Sequence, residues 1–251
     1  MTDQADLPDL APQRSDHERE RKLKLRAFRG LRCYIDMVDG GRGYHCPVCG
    51  YEGRFSPVRQ KPDLWCPACD SRPRHRLLKL WMNRELQLPA SARVLHFAAE
   101  PWIGDWFAPR VAEYVTADIN DKFDLQLDMT AIDLPDARYD VIIANHVLEH
   151  LDDRKALAEL YRVLAPGGMV ILSVPLVDGW DETYEDPSIT DPEDRLIHFT
   201  DRTHLRLYGR DFPDRVAAAG FTVRAFTAHE PDVSRHALQR GEKIFVGRKP
   251  A

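Results

Sequence analysis

The stretch that settles the fold is Tyr139-Asp-Val-Ile-Ile-Ala-Asn145-His146-Val-Leu-Glu149-His150-Leu151 and, after seven intervening residues, Glu159-Leu-Tyr-Arg-Val-Leu-Ala-Pro166-Gly-Gly168-Met-Val-Ile-Leu-Ser-Val174. Tyr139–Asn145 reads as a strand. Helix signals run on to Leu164, Pro166-Gly-Gly168 stops them, and Met169–Val174 is the next strand. The same alternation extends outward. Upstream lie strands at Arg93–Phe97, Glu113–Asp118 and Leu125–Asp128, with a helix from Pro101 to Glu113 kinked near Pro109. Downstream lie a helix near Asp211–Ala219 and two runs, Phe221–Thr227 and Lys243–Val246, that pair as an antiparallel edge. Such alternation predicts an α/β fold with a mostly parallel sheet and helices on both faces.

The 251 residues leave room for one large domain and a small appendage. With 43% hydrophobic and 30% charged residues, wholesale disorder is excluded. No apolar run approaches the roughly 18–20 residues of a membrane span. The first thirty residues are charged and lack a signal-peptide core, so a cytoplasmic protein is expected. A net charge of -5 excludes a strongly basic coat for nucleic acid. The charge is unevenly divided: residues 1–85 carry 17 Lys and Arg against 12 Asp and Glu, and residues 86–251 carry 18 against 28. This asymmetry suggests two modules.

Four of the five cysteines form two pairs, Cys46-Pro-Val-Cys49 and Cys66-Pro-Ala-Cys69, separated by sixteen residues. Two such knuckles have the spacing of a tetrahedral four-cysteine zinc site, structural because no coordination position is left open. The alternatives are two redox pairs or plain buried thiols. Cys33 lies outside the pattern and reads as a half-buried thiol on a helix. The expected organisation is a flexible tail over 1–15, a basic amphipathic helix over 16–40, the zinc module with its linking helix over 41–88, and a sheet domain over 89–251. On the basic helix Leu25, Phe28, Leu31 and Ile35 recur at helical spacing among seven Lys and Arg. It docks on the protein, lies on a membrane surface, or serves as an RNA arm; peripheral membrane contact through 16–35 stays open. Arg72, Arg74, His75 and Arg76 open the linking helix as a basic cluster, either solvated or facing the acceptor side of the sheet domain.

Residues 92–175 resemble the core of class I S-adenosylmethionine-dependent methyltransferases of the type-11 kind, carried by Val147-Leu-Glu-His-Leu151 and Arg162-Val-Leu-Ala-Pro-Gly-Gly168 at their spacing. The resemblance runs from the first strand to the C-terminus. It implies a Rossmann-like seven-stranded sheet with a reversed final strand and S-adenosylmethionine across the strands' carboxyl ends, as open α/β sheets bind ligands generally. One departure stands out. The family's glycine-rich turn after the first strand is here His96-Phe97-Ala98-Ala99-Glu100-Pro101-Trp102. Ala98 replaces the first glycine, and alanine allows backbone to approach a ligand less well. Phe97, Ala98 and Glu100 then belong to the cofactor loop, with Glu100 either meeting the cofactor's ammonium or serving as a helix N-terminal acid. By the resemblance, Asp118 takes the ribose hydroxyls with Ile119 beside it. Asp128 lies by the adenine amino group, with Met129 packing. Asn145 and His146 pass beneath the cofactor.

The acceptor is less legible. A hydroxyl acceptor needs a base, and His146, His198 and His204 are the candidates. Residues 178–194 hold eight acids and no Lys or Arg, with Trp180 and Tyr184 interleaved. As part of a lid over 176–205, this segment suits a neutral or cationic small molecule better than a phosphate backbone; as a bland alternative it is a solvated acidic loop. A small-molecule methyltransferase is therefore expected. The alternatives are an RNA methyltransferase using the zinc module, a membrane-lipid methyltransferase, or a non-catalytic scaffold. Oligomeric state is not legible.

Overall fold

The computed structural model describes residues 43–58 and 61–251, together with positions 23, 27 and 31. The expected tail, most of the basic helix and Cys33 lie outside the described residues; Leu23, Ala27 and Leu31 are helical and exposed. The chain forms two compact units, one of residues 1–79 and 229–239, the other of residues 80–228 and 240–251.

The smaller unit pairs β1 (Tyr44–His45) with β2 (Glu52–Gly53), and β3 (Ser56–Val58) with β4 (Lys61–Trp65), both antiparallel. Each cysteine pair sits in a tight knuckle: Gly50 N donates to Cys46 O at 2.8 Å and Asp70 N to Cys66 O at 2.9 Å. The residue after each second cysteine is left-handed, Gly50 at φ +77° and Asp70 at φ +59°. Helix α1 (Pro73–Arg84) follows. Its Arg76 is wholly buried: Nε donates to His236 O at 2.7 Å, Nη1 to Ser71 O at 2.6 Å and Nη2 to Ala237 O at 2.7 Å, with the guanidinium over the Phe55 ring. Of the basic cluster Arg72–Arg76, two members are thus engaged within the smaller unit. Arg76 binds the backbone of its own unit, and Arg72 lies over Trp65. His236 is buried and donates Nδ1–H to His45 O at 2.7 Å; burial holds its pKa below the ordinary imidazole value.

The larger unit is an open sheet of β5 (Arg93–Phe97), β6 (Glu113–Asp118), β7 (Leu125–Gln126), β8 (Tyr139–Asn145), β9 (Leu164–Ser173), β12 (Thr222–Phe226) and β13 (Ile244–Arg248). Their spatial order is β7-β6-β5-β8-β9-β13-β12. The strands from β7 to β9 are parallel, and β13 runs antiparallel to both its neighbours. This is the expected Rossmann-like seven-stranded architecture. Val94, Leu95, Val141, Ile142, Ala144 and Val170 are fully buried, as central strands covered on both faces must be. The helices are α2 (Pro101–Phe107), α3 (Asp153–Val163), α4 (Pro192–Phe199) and α5 (Phe212–Ala218). The kink at Pro109 is real: α2 ends at Phe107 and a 3-10 turn spans Ala108–Arg110.

Two details differ from the sequence expectation. Strand β7 stops at Gln126, leaving Asp128 beyond it. Pro166-Gly-Gly168 belongs to β9 rather than to a helix stop, since α3 ends at Val163 and the β8 register shifts between Leu164 and Met169. At Gly168 an added Cβ would lie 2.8 Å from the carbonyl oxygens of Asp140 and Ala165, so only glycine fits this bulge.

Candidate cofactor and acceptor site

Register places the candidate site before any ligand is invoked. Phe97 of β5 is the partner of Ala117 in β6 and of Ala144 in β8. The next residue of each strand, Ala98, Asp118 and Asn145, therefore ends its strand in one row along the sheet's carboxyl edge. Ala98 N donates to Ala117 O at 2.9 Å and Leu127 N to Asp118 O at 2.8 Å, which brings Asp128 to the same edge.

Ala98 adopts φ +49°. Left-handed backbone favours glycine, so Ala98 holds a conformation suited to glycine and accepts the strain of a Cβ in it. Phe97 is buried below the turn. Behind it His96, wholly buried, bonds through Nδ1 to Tyr114 Oη at 2.7 Å and through Nε2 to Glu100 Oε2 at 3.2 Å. Burial pushes the Tyr114 hydroxyl well above its ordinary pKa, so it stays protonated and donates; His96 then donates to Glu100. Glu100 occupies the N-cap position of α2 without capping it.

Asp118 accepts from Asn120 N and Nδ2 through Oδ1 alone, at 2.9 and 2.6 Å. Its second oxygen stays available. Ile119 beside it is 62% exposed, a large apolar surface at the site's edge. Asp128 is exposed and accepts from Thr130 N and Oγ1, which hold its carboxyl below the usual range; Met129 is buried next to it. Asn145 is buried, accepts from Ser173 Oγ at 3.0 Å, and leaves Nδ2 without a partner. These features fit S-adenosylmethionine: a strand-end carboxylate oxygen open to a diol, a second acid beyond it, and an orphaned amide donor two strands away along the same edge.

His146 follows at φ +55° and bonds through Nδ1 to Glu149 Oε1 at 3.2 Å. His204 lies close to His150, with ring centroids 4.7 Å apart, edge to face. The structure thus gathers His146, Glu149, His150 and His204. His198 is not among them: it is exposed on α4 and bonds Tyr184 Oη at 2.7 Å.

Residues 176–205 carry regular structure of their own. Strand β10 (Tyr184–Glu185) pairs antiparallel with β11 (Arg206–Leu207), and Asp191 caps α4 by accepting from Glu193 N and Asp194 N. Four of the eight acids in 178–194 pair with basic residues outside that run. Asp178 pairs with Lys243, Asp181 with Arg210, Glu193 with Arg202, and Glu185 with Arg206 and Arg215. A cavity of about 420 Å³ lies here, lined by Arg154, Glu185, Asp186, Arg195, Leu205 and Arg206 among others.

In the smaller unit the four cysteine sulfurs lie within 4.8 Å of one another, and Cys46–Cys69 and Cys49–Cys66 are each 3.7 Å apart. A tetrahedral ion with bonds of about 2.3 Å spaces its sulfurs by about 3.8 Å, so the set fits zinc. The thiols oppose each other's ionisation. Hydrogen bonds from Cys66 and then Cys69 pull Cys46 down, the bond to Cys46 pushes Cys66 up, and burial pushes Cys49 up to about 12. A dication removes that conflict.

Sheet order, reversed final strand and edge site define a class I methyltransferase fold. A family profile described as "Methyltransferase domain" matches residues 41–225, and the chain belongs to that family; it is a methyltransferase. No curated protein matches it significantly. Solved structures share the fold at low identity. The YcgJ protein of Bacillus subtilis is 16% identical, with a TM-score of 0.50 over 70% of this chain and 99% of that one. An S-adenosylmethionine-dependent methyltransferase from Mesorhizobium loti is 12% identical, with a TM-score of 0.50 over 69% and 98%. The cyclase SpnF is 16% identical, with a TM-score of 0.52 over 86% and 91%. Such likenesses carry the fold alone; acceptor chemistry has to come from the site.

Proposed function

We propose that this protein transfers the methyl group of S-adenosylmethionine to a polar small molecule received beneath residues 176–205, and that Cys46, Cys49, Cys66 and Cys69 hold a structural zinc ion. The row of Ala98, Asp118 and Asn145 at one sheet edge, with residues 176–205 tied to the turn after β8 through Leu205 N and Glu149 O and lining a cavity of their own, is the observation that carries this reading. When bound, the cofactor supplies a methyl group on an already electrophilic sulfonium. Asp118 accepts from the ribose hydroxyls, Asp128 from the adenine amino group, and Asn145 Nδ2 donates. The left-handed turn at Ala98 brings backbone close to the ligand, and His146 is the residue of this edge suited to take a proton from the acceptor. A cavity of about 420 Å³ has the size of a small-molecule pocket rather than of a polynucleotide track.

Incubating the protein with labelled S-adenosylmethionine and cell extract, then separating lipid, RNA and metabolite fractions, tests the acceptor class. Label is expected in the metabolite fraction. Label confined to RNA or lipid overturns the small-molecule assignment.

A further inference from the structure

Beyond the row that serves the cofactor, the larger unit gathers a second set of donors. One ligand atom each from Glu149, His150 and His204 lies within 4.8 Å of the others. Glu149 and His150 stand on the 3-10 turn Leu148–His150 that follows β8. His204 comes from the loop between α4 and β11. Backbone holds the two together: Leu205 N donates to Glu149 O at 2.8 Å, and Arg206 Nη1 to Leu148 O at 3.0 Å and Leu151 O at 2.6 Å. The arrangement therefore exists without any ion.

The protonation pattern is set by the partners. His204 Nδ1 faces Phe199 O at 3.2 Å, a pure acceptor, so Nδ1 carries the hydrogen. His150 Nδ1 faces Thr203 Oγ1 at 2.9 Å, and that hydroxyl already gives its hydrogen to Asp201 Oδ1 at 2.7 Å. His150 Nδ1 must donate as well. Each neutral ring is left with a lone pair on Nε2 and a fixed orientation, the outer support found around metal-ligating histidines. Glu149 is 1% exposed, is held through Oε1 by His146, and its Oε2 is buried without a partner. A buried carboxyl oxygen without a partner is costly, and a bound cation would satisfy it.

We propose that Glu149, His150 and His204 bind a divalent first-row metal ion, whose open coordination positions take an oxygen donor of the methyl acceptor. Two imidazoles and one carboxylate form a nitrogen and oxygen set that leaves positions open, unlike the closed thiolate set of the other unit. Two donors at about 2.1 Å from one ion lie at most about 4.2 Å apart, so a set already within 4.8 Å needs only a small inward adjustment to share one. The first half of the proposal is independent of the proposed function; the second half rests on it.

Manganese(II) is the probe, because soft thiolates do not favour it and the zinc module stays loaded. Full-length protein shown by elemental analysis to hold one zinc per chain, with that zinc lost in Cys46→Ser so that the second site is free, is titrated by electron paramagnetic resonance. One saturable Mn2+ per chain is expected. Glu149→Gln and His204→Ala should each weaken it by about tenfold or more, while His198→Ala should leave it unchanged. Bound Mn2+ should enhance water-proton relaxation, because its open positions hold exchangeable water. No saturable binding, or equal affinity in Glu149→Gln and His204→Ala, overturns the site; bound Mn2+ without relaxation enhancement overturns the open positions. Calorimetry with S-adenosylhomocysteine on each protein reports folding, and its failure in the parent strikes the proposed function without touching the manganese result.

Discussion

Ala98 is a single residue that departs from a family pattern while holding a conformation suited to glycine. Its left-handed φ of +49° marks a position where glycine relieves strain of about 1–2 kcal/mol. Glycine also loosens the unfolded chain, at about 0.4–1 kcal/mol. Ala98→Gly should therefore raise stability by less than about 1 kcal/mol in denaturant titration and leave binding of S-adenosylhomocysteine equal or tighter. Weaker binding would mean that the Ala98 methyl packs on the ligand. Asp118, with one oxygen open, is expected to contribute directly: Asp118→Ala should weaken binding by about 1.5–3 kcal/mol by calorimetry, and equal affinity removes it from the site. Asp118 was legible because a strand's end can be read from its apolar run. Arg76 was not, since the carbonyls that bury it come from Ser71, His236 and Ala237, and nothing in the local pattern ties those segments together.

At the level of elements, residues 176–205 and the cysteine knuckles make separate predictions. Helix α4 has eight residues and one cap, so Asp191→Ala should cost about 0.5–2 kcal/mol locally. Hydrogen exchange should quicken in Pro192–Phe199 while cofactor binding holds; methyl transfer should fall if residues 176–205 receive the acceptor. Unchanged transfer with a frayed α4 would make the segment a mere surface loop. In the smaller unit, metal binding supplies folding energy. Elemental analysis should find one zinc per chain, and Cys46→Ser should remove it and unfold that unit while the sheet unit keeps its cooperative melt. Stoichiometric zinc in Cys46→Ser would place the metal elsewhere.

For the whole molecule, acid stability follows from carboxylates held by arginines. Arg93 pulls Asp140 below its ordinary 3.8 and Arg162 pulls Glu159 below its ordinary 4.5; for Glu185 burial opposes the shift, but Arg206 and Arg215 overcome it. A carboxyl whose folded pKa is depressed contributes stability that is full above the unfolded value and is lost as pH falls through the folded value. Urea midpoints should thus be flat from neutral pH to about pH 5 and fall below about pH 4.5. Arg162→Met should lower the neutral plateau and flatten the acid slope, because Glu159 then titrates nearer its ordinary value. An unaltered slope would show that the pair contributes nothing net. No helix among the described residues is long and apolar enough to cross a membrane.

The α/β class, the parallel strands, the four-cysteine set and the acid at the end of β6 were all determined by the sequence itself. Each depends on near neighbours in the chain: an apolar run with a polar end, or two cysteines in one turn. Only the tertiary structure decided what distant segments do to one another. Arg206, Arg210 and Lys243 neutralise acids more than twenty residues away. Loop closure brings His204 to Glu149 and His150, fifty-odd positions earlier. Charge balance and ligand geometry depend on distances in space, and no local pattern encodes those distances until the β9–β11 connection has folded back onto the turn after β8.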